Sequence, residues 1–157
     1  MIWPGAIALA AAAASGLAPA DFCADLERAL AAARETPAFA SWPVAGEPVA
    51  AMGFAECGPA LLGPALLCLE DHSDSVARFE ALRSAIADCR PNARPWTDPR
   101  RSPSRPDERR IELIVGRVLI SLHETGSIGE AKPYVSMQIE PAPKRARRPA
   151  KRARYPR

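Results

Sequence analysis

At 157 residues with a net charge of +3, the chain has room for one ordinary domain and, once a leader is set aside, not for two. The charge is unevenly placed. Residues 141–157, PAPKRARRPAKRARYPR, hold eight Lys or Arg and no acid, and taking those eight from the overall +3 leaves −5 on the rest. The reading is a mildly acidic domain with a strongly basic tail.

The first twenty residues, MIWPGAIALAAAAASGLAPA, carry no charged side chain. An apolar run followed by Ala18-Pro19-Ala20 ahead of Asp21 is the pattern of a secretory signal cleaved after small residues. No Lys or Arg follows Met1, so only the amino terminus is positive. A membrane anchor is the competing reading. A spanning helix needs about 20 predominantly apolar residues, and Pro4, Ser15, Gly16 and Pro19 shorten this run. Residues 1–20 are expected to be removed, leaving residues 21–140 as one domain, residues 141–157 as a tail, and no transmembrane span. The mature chain is expected to be periplasmic or secreted.

From Asp21 to Arg34, Phe22, Leu26, Ala29, Leu30 and Ala33 recur at helical spacing with Cys23 bordering the same face, until Thr36-Pro37 ends the run. Residues 49–57, VAAMGFAEC, and 66–70, LLCLE, read as two short strands around the turn signals Gly58-Pro59 and Gly63-Pro64. The four leucines of this doubled GPALL are expected to pack beneath the hairpin, with the lining of a small-ligand pocket as the alternative. Cys57-Gly58-Pro59 is similar to the start of a thioredoxin-type redox motif, but Ala60 stands where its second cysteine belongs.

The segment EDHSDS, Glu70 to Ser75, groups acids, a histidine and serines before a second helical stripe of Val76, Phe79, Leu82, Ile86 and Cys89. A histidine among acids can act as a general base. At a helix start, however, Asp and Ser are wanted as caps, and capping is the preferred reading. Arg90-Pro91 stops the helix.

The four cysteines, Cys23, Cys57, Cys68 and Cys89, all follow the leader. An even count in a small exported domain reads as a disulfide framework with three pairings open. No two of them have the C-x₂₋₄-C spacing of a zinc site, and neither His72 nor His123 pairs with one, so no metal is expected. Cys57 and Cys68 would face each other across the hairpin. Cys23 and Cys89, each on the apolar side of a helix, would bridge if those helices pack.

Residues 91–109, PNARPWTDPRRSPSRPDER, hold five prolines and almost no aliphatic side chain. They read as a solvated linker, with a binding loop built on Arg94, Arg100, Arg101, Arg105 and Trp96 as the alternative. Then Ile111, Leu113 and Val115 alternate, as do Val118, Ile120 and Leu122, around Gly116-Arg117; a tight hairpin or a bulged strand would each explain this. The run IELIV is taken as the central strand. His123-Glu124 at a strand end could line a cleft, but a satisfied or solvent-facing strand terminus is the preferred reading. Residues 134–140, YVSMQIE, alternate once more. The fold class is therefore α+β: a small disulfide-stapled domain with two helices packed on an antiparallel sheet of about four strands. The tail has no aliphatic residue larger than alanine and no periodicity, and is expected to be disordered.

No G-x-S-x-G, H-E-x-x-H, P-loop or G-x-G-x-x-G motif is present, so no catalytic residue and no cofactor are assigned. The tail residues Lys144, Arg145, Arg147, Arg148, Lys151, Arg152, Arg154 and Arg157 are the anion-binding candidates. They suit an anionic envelope polymer or lipid headgroups, or nucleic acid if the chain stays in the cytoplasm. An exported inhibitor or enzyme with an unrecognised site is the third reading.

Overall fold

The structure is a computed structural model that describes residues 19–42, 48–98, 108–126 and 132–144. Its elements run α1 (Pro19–Ala32), β1 (Val49–Ala51), β2 (Phe54–Pro59), β3 (Leu66–Asp71), α2 (Ser75–Cys89), β4 (Arg94–Pro95), β5 (Glu108–Val115), β6 (Val118–Thr125) and β7 (Tyr134–Pro141). All strand pairs are antiparallel, in one sheet of order β1-β2-β3-β7-β6-β5-β4. The α+β class stands. The sheet has seven strands, not about four.

Three local causes account for the difference. The expected strand 49–57 is two strands, because Met52 (φ 52°) and Gly53 (φ 74°) turn the chain between the paired Ala51 and Phe54. Positive φ at both central residues is the twist a two-residue hairpin requires. Met52 holds that conformation with its side chain buried and its N–H donated to Asp25 Oδ2 of α1 at 2.8 Å. The hairpin reading of Gly116-Arg117 is the observed one, with Val115 paired to Val118 and Gly116 at φ 63°. The segment after Pro91 is not all linker: Arg94 and Pro95 pair with Ile114 and Leu113, and Trp96 packs on Ile114, Leu119 and Ala142. The IELIV strand lies next to this edge, and β7 is the middle strand.

Alternation divides the sheet into two faces. Val118, Ile120 and Leu122 of β6, Val135, Met137 and Ile139 of β7, and Leu66 and Cys68 of β3 point into the core with Ile111, Leu113 and Val115 at its margin. Phe22, Leu26, Ala29 and Leu30 of α1, Ala33 just after it, and Phe79, Leu82 and Ile86 of α2 close that core, with α2 packed across β6 and β7 and α1 on α2. Val76 is not part of the α2 stripe: it is exposed, and Ser75 and Arg78 are buried instead. Both expected disulfides are present, Cys23–Cys89 between the helices and Cys57–Cys68 between directly paired residues of β2 and β3.

No described helix is long and apolar enough to cross a membrane.

Candidate functional site

The sheet face away from the helices presents rows of side chains fixed by register. One row runs Arg110, His123, Ser136, Leu69 and the next runs Glu112, Ser121, Gln138, Leu67 across β5, β6, β7 and β3. Arg110, Ser121, His123, Ser136, Gln138 and Glu140 line a hollow of about 130 Å³. Pockets that enclose organic ligands are several times larger, about 300–1,000 Å³. His123 is directly paired with Ser136, which invites comparison with a base and nucleophile, but its Nε2 lies 3.3 Å from Thr125 Oγ1 and 3.8 Å from Glu108. The ring also meets Tyr134 edge-on, with centroids 6.1 Å apart. Burial holds the imidazole pKa below its ordinary value; the Arg110 guanidinium adds to this, against opposing pulls from Glu108 and Glu124. The hollow is a polar surface built on strands, with room for water and side-chain tips.

The other histidine, with Glu70, Asp74 and Ser75, is engaged in holding α2. Asp74 caps α2 by accepting from Ala77 N at 3.0 Å, and His72 Nδ1 accepts from Asp74 N at 3.2 Å. Glu70 pairs with Arg78, and Ser75 Oγ donates to Glu124 at 2.6 Å. EDHSDS is thus the entry to the helix and its anchor to the sheet. All four cysteine sulfurs are in disulfides.

Of the anion-binding candidates, Lys144 is described and exposed; Arg145, Arg147, Arg148, Lys151, Arg152, Arg154 and Arg157 lie outside the described residues, as do Arg100, Arg101 and Arg105. Lys144 nevertheless locates the root of the tail. β7 runs to Pro141, and Ala142 is buried beside Ile114 and Leu119, its N–H donated to Arg117 O at 2.7 Å. The root therefore leaves from the β5–β6 turn, where Arg117 is exposed. The Arg34 guanidinium reaches the same turn, 3.8 Å from where a Cβ would stand on Gly116. Arg34, Arg117 and Lys144 come from three distant parts of the chain, and only the fold brings them to one end. The acids nearby are occupied: Glu35 binds Ser41 through its N–H and hydroxyl, and Glu140 accepts from Gln138 Nε2 at 3.0 Å.

The same end carries the tip of the β2–β3 hairpin, since Pro59, Leu66, Ile139, Ile120 and Leu113 form one row and the tip lies just beyond it. The leucines do not all pack beneath the hairpin. Leu66 is buried, whereas Leu61 is 101% and Leu62 90% exposed. Leu61 and Leu62 lie beyond the last paired row, Pro59 and Leu66, and only Ala65 of this loop is buried.

The chain shows no significant similarity to any protein-family model, curated protein or solved structure.

Proposed function

We propose that this is an exported, non-enzymatic protein that binds an anionic component of the cell envelope, lipid headgroup or acidic polymer, through its basic tail. The observation that carries the reading is the root of that tail. Ala142 is anchored to Arg117, so the tail starts from a basic end that holds Arg34, Arg117 and Lys144. Basic residues near an anionic surface contribute about 1 kcal/mol each, and the remainder of the chain, at −5, would by itself be repelled.

The two disulfides are consistent with an oxidising, exported environment. Cleavage between Ala20 and Asp21 would place the new terminus in the first turn of α1, which begins at Pro19, and leave Phe22, which is buried, and Cys23 in place. The expected mature chain therefore begins at Asp21 and is periplasmic or secreted.

The test is a chain ending at Lys144, compared with the full chain for binding to anionic vesicles and to a soluble polyanion over a salt titration. The cut spares Pro141 and Ala142, which belong to the fold. The full chain should bind with an affinity that falls as the Debye length shrinks from about 10 Å at 0.1 M salt, and the shortened chain should bind far more weakly at an unchanged melting temperature. Equal binding by the two forms overturns the reading. An intact Met1 on cytoplasmic protein overturns export and turns the tail toward nucleic acid.

A further inference from the structure

We infer that the β2–β3 hairpin tip is a membrane-inserting element, which seats Leu61 and Leu62 in the interface of an anionic phospholipid bilayer beside the basic end of the sheet. The inference rests on the anionic-partner reading above and narrows that partner to a lipid surface.

Four observations converge on this tip. Of the five exposed large apolar side chains among the described residues, the two most exposed, Leu61 and Leu62, lie at this tip, and Leu67 lies between it and the disulfide. From Cys57 to Leu69 no side chain carries a charge, hydroxyl or amide. The tip also stands clear of the domain: a Cβ built on Gly63 would meet nothing within 4 Å. Finally, the Cys57–Cys68 bridge ties the strands just below the loop, so the leucines are presented on a constrained hairpin.

The backbone suits an apolar medium as well. Unpaired N–H and C=O groups are what make irregular chain costly in lipid. Here Pro59 and Pro64 have no N–H, Ala60 N donates to Ala65 O at 2.8 Å, and Ala65 N donates to Gly63 O at 3.0 Å. A loop that docks in a protein cleft by strand-like pairing needs those backbone groups free. This one pairs two of its N–H groups, those of Ala60 and Ala65, within the loop.

Charge then selects the kind of lipid. The tip lies on the β3 side of the end whose β6 side carries Arg117 and Arg34, with the tail root between, only a few strand spacings of about 4.8 Å away. Glu56 and Glu70, the acids flanking the hairpin's apolar run, stand below the disulfide, away from the tip. A small apolar insertion and a cluster of cations are each weak anchors, and stable attachment to a bilayer takes both kinds together.

The experiment uses the full chain and vesicles of phosphatidylcholine with or without phosphatidylglycerol. The double variant Leu61→Ser/Leu62→Ser changes only exposed side chains, so it should melt with the parent. It should bind the anionic vesicles about tenfold or more weakly, since interfacial affinity scales with buried apolar area, yet bind soluble heparin as the parent does. A Leu62→Trp reporter should shift to the blue relative to the parent on anionic vesicles and be quenched by brominated lipid. Parent-like vesicle binding by the serine variant, or a reporter that stays in water, overturns insertion while leaving the tail reading intact. If the chain ending at Lys144 keeps full vesicle affinity, the tail reading falls and insertion stands. If the tip ignores vesicles but is protected by a protein partner such as a protease, the bilayer is the wrong occupant.

Discussion

Ser75, the first residue of α2, donates its hydroxyl to Glu124 of β6 at 2.6 Å, although the two are 49 residues apart. Glu124 is 1% exposed, and its other oxygen accepts from Arg109, whose side chain is 49% exposed. The second helix is thus fixed to the sheet by a buried carboxylate as well as by Phe79, Leu82 and Ile86.

Ser75→Ala should therefore cost more than a surface hydroxyl would. It leaves a buried carboxylate oxygen without its donor, and hydrogen bonds to charged groups contribute about 1.5–3 kcal/mol. Urea unfolding should show a loss of about 2 kcal/mol, and Ser75→Ala placed in a Glu124→Gln background should lose less. Equal losses in the two backgrounds would show that the pair is not coupled.

Arg78 fastens the other end of the same surface. It pairs with Glu70, donates to Gly53 O at 2.7 Å and lies over the Phe54 ring at 5.3 Å, while itself 7% exposed. Arg78→Met should destabilise by about 3 kcal/mol, the lower end expected when one partner of a buried pair is removed, because Glu70 keeps some access to water. Arg28→Met breaks an exposed pair with Asp25 and should cost less than about 1 kcal/mol. A similar cost for both would mean that Arg78 acts only through its aliphatic stem.

Much of this architecture is legible in the sequence, for reasons particular residues make plain. Phe22, Leu26 and Leu30, and Phe79, Leu82 and Ile86, mark their buried faces by helical spacing, and Cys23 and Cys89 on those faces mark the contact between them. The turn at Met52-Gly53 is hidden because a methionine at positive φ is held there by Asp25, a partner distant in sequence. β4 is hidden because an Arg-Pro pair has no strand propensity, and only Ile114, Leu119 and Ala142 give Trp96 a place to pack. At the candidate site the tail's charge is plain from composition. That the tail's root, Ala142 to Lys144, lies at the end carrying Arg117 and the Leu61–Leu62 tip depends on how distant strands pair, which no short stretch of sequence shows.

The two disulfides should contribute unequally. Cys57–Cys68 closes a separation of 11 residues and Cys23–Cys89 one of 66. In the chain-entropy treatment these correspond to about 3 and about 4 kcal/mol. Replacing Cys23 and Cys89 by Ala should lower the denaturation midpoint more than replacing Cys57 and Cys68. The second change should also make the hairpin tip more susceptible to proteolysis. The reverse order of stabilities would show that native packing around each bridge, not loop length, sets its contribution.

Acid should weaken the fold through His123 before it does so through the carboxylates. Burial is the main cause of its lowered pKa, with Arg110 on β5 reinforcing it; Glu108 on β5 and Glu124 behind it on β6 oppose, and Ser136 and Tyr134 of β7 stand alongside without charge. In the unfolded chain the imidazole titrates near pH 6.5. Between that value and the lower folded one, the unfolded state binds more protons, so stability rises with pH through this window. The contribution is fully present above the unfolded pKa and is lost as pH falls through the folded one. Glu35 shows the same sign but in a lower window, since its hydrogen bonds from Ser41 hold its carboxyl below 4.5. Urea midpoints measured downward from neutral pH should therefore begin to fall near pH 6.5, ahead of carboxylate titration. His123→Gln should flatten that first decline, and Arg110→Gln should shrink it by removing the cation that helps keep the ring neutral. An unchanged slope in His123→Gln would assign the decline to some other group.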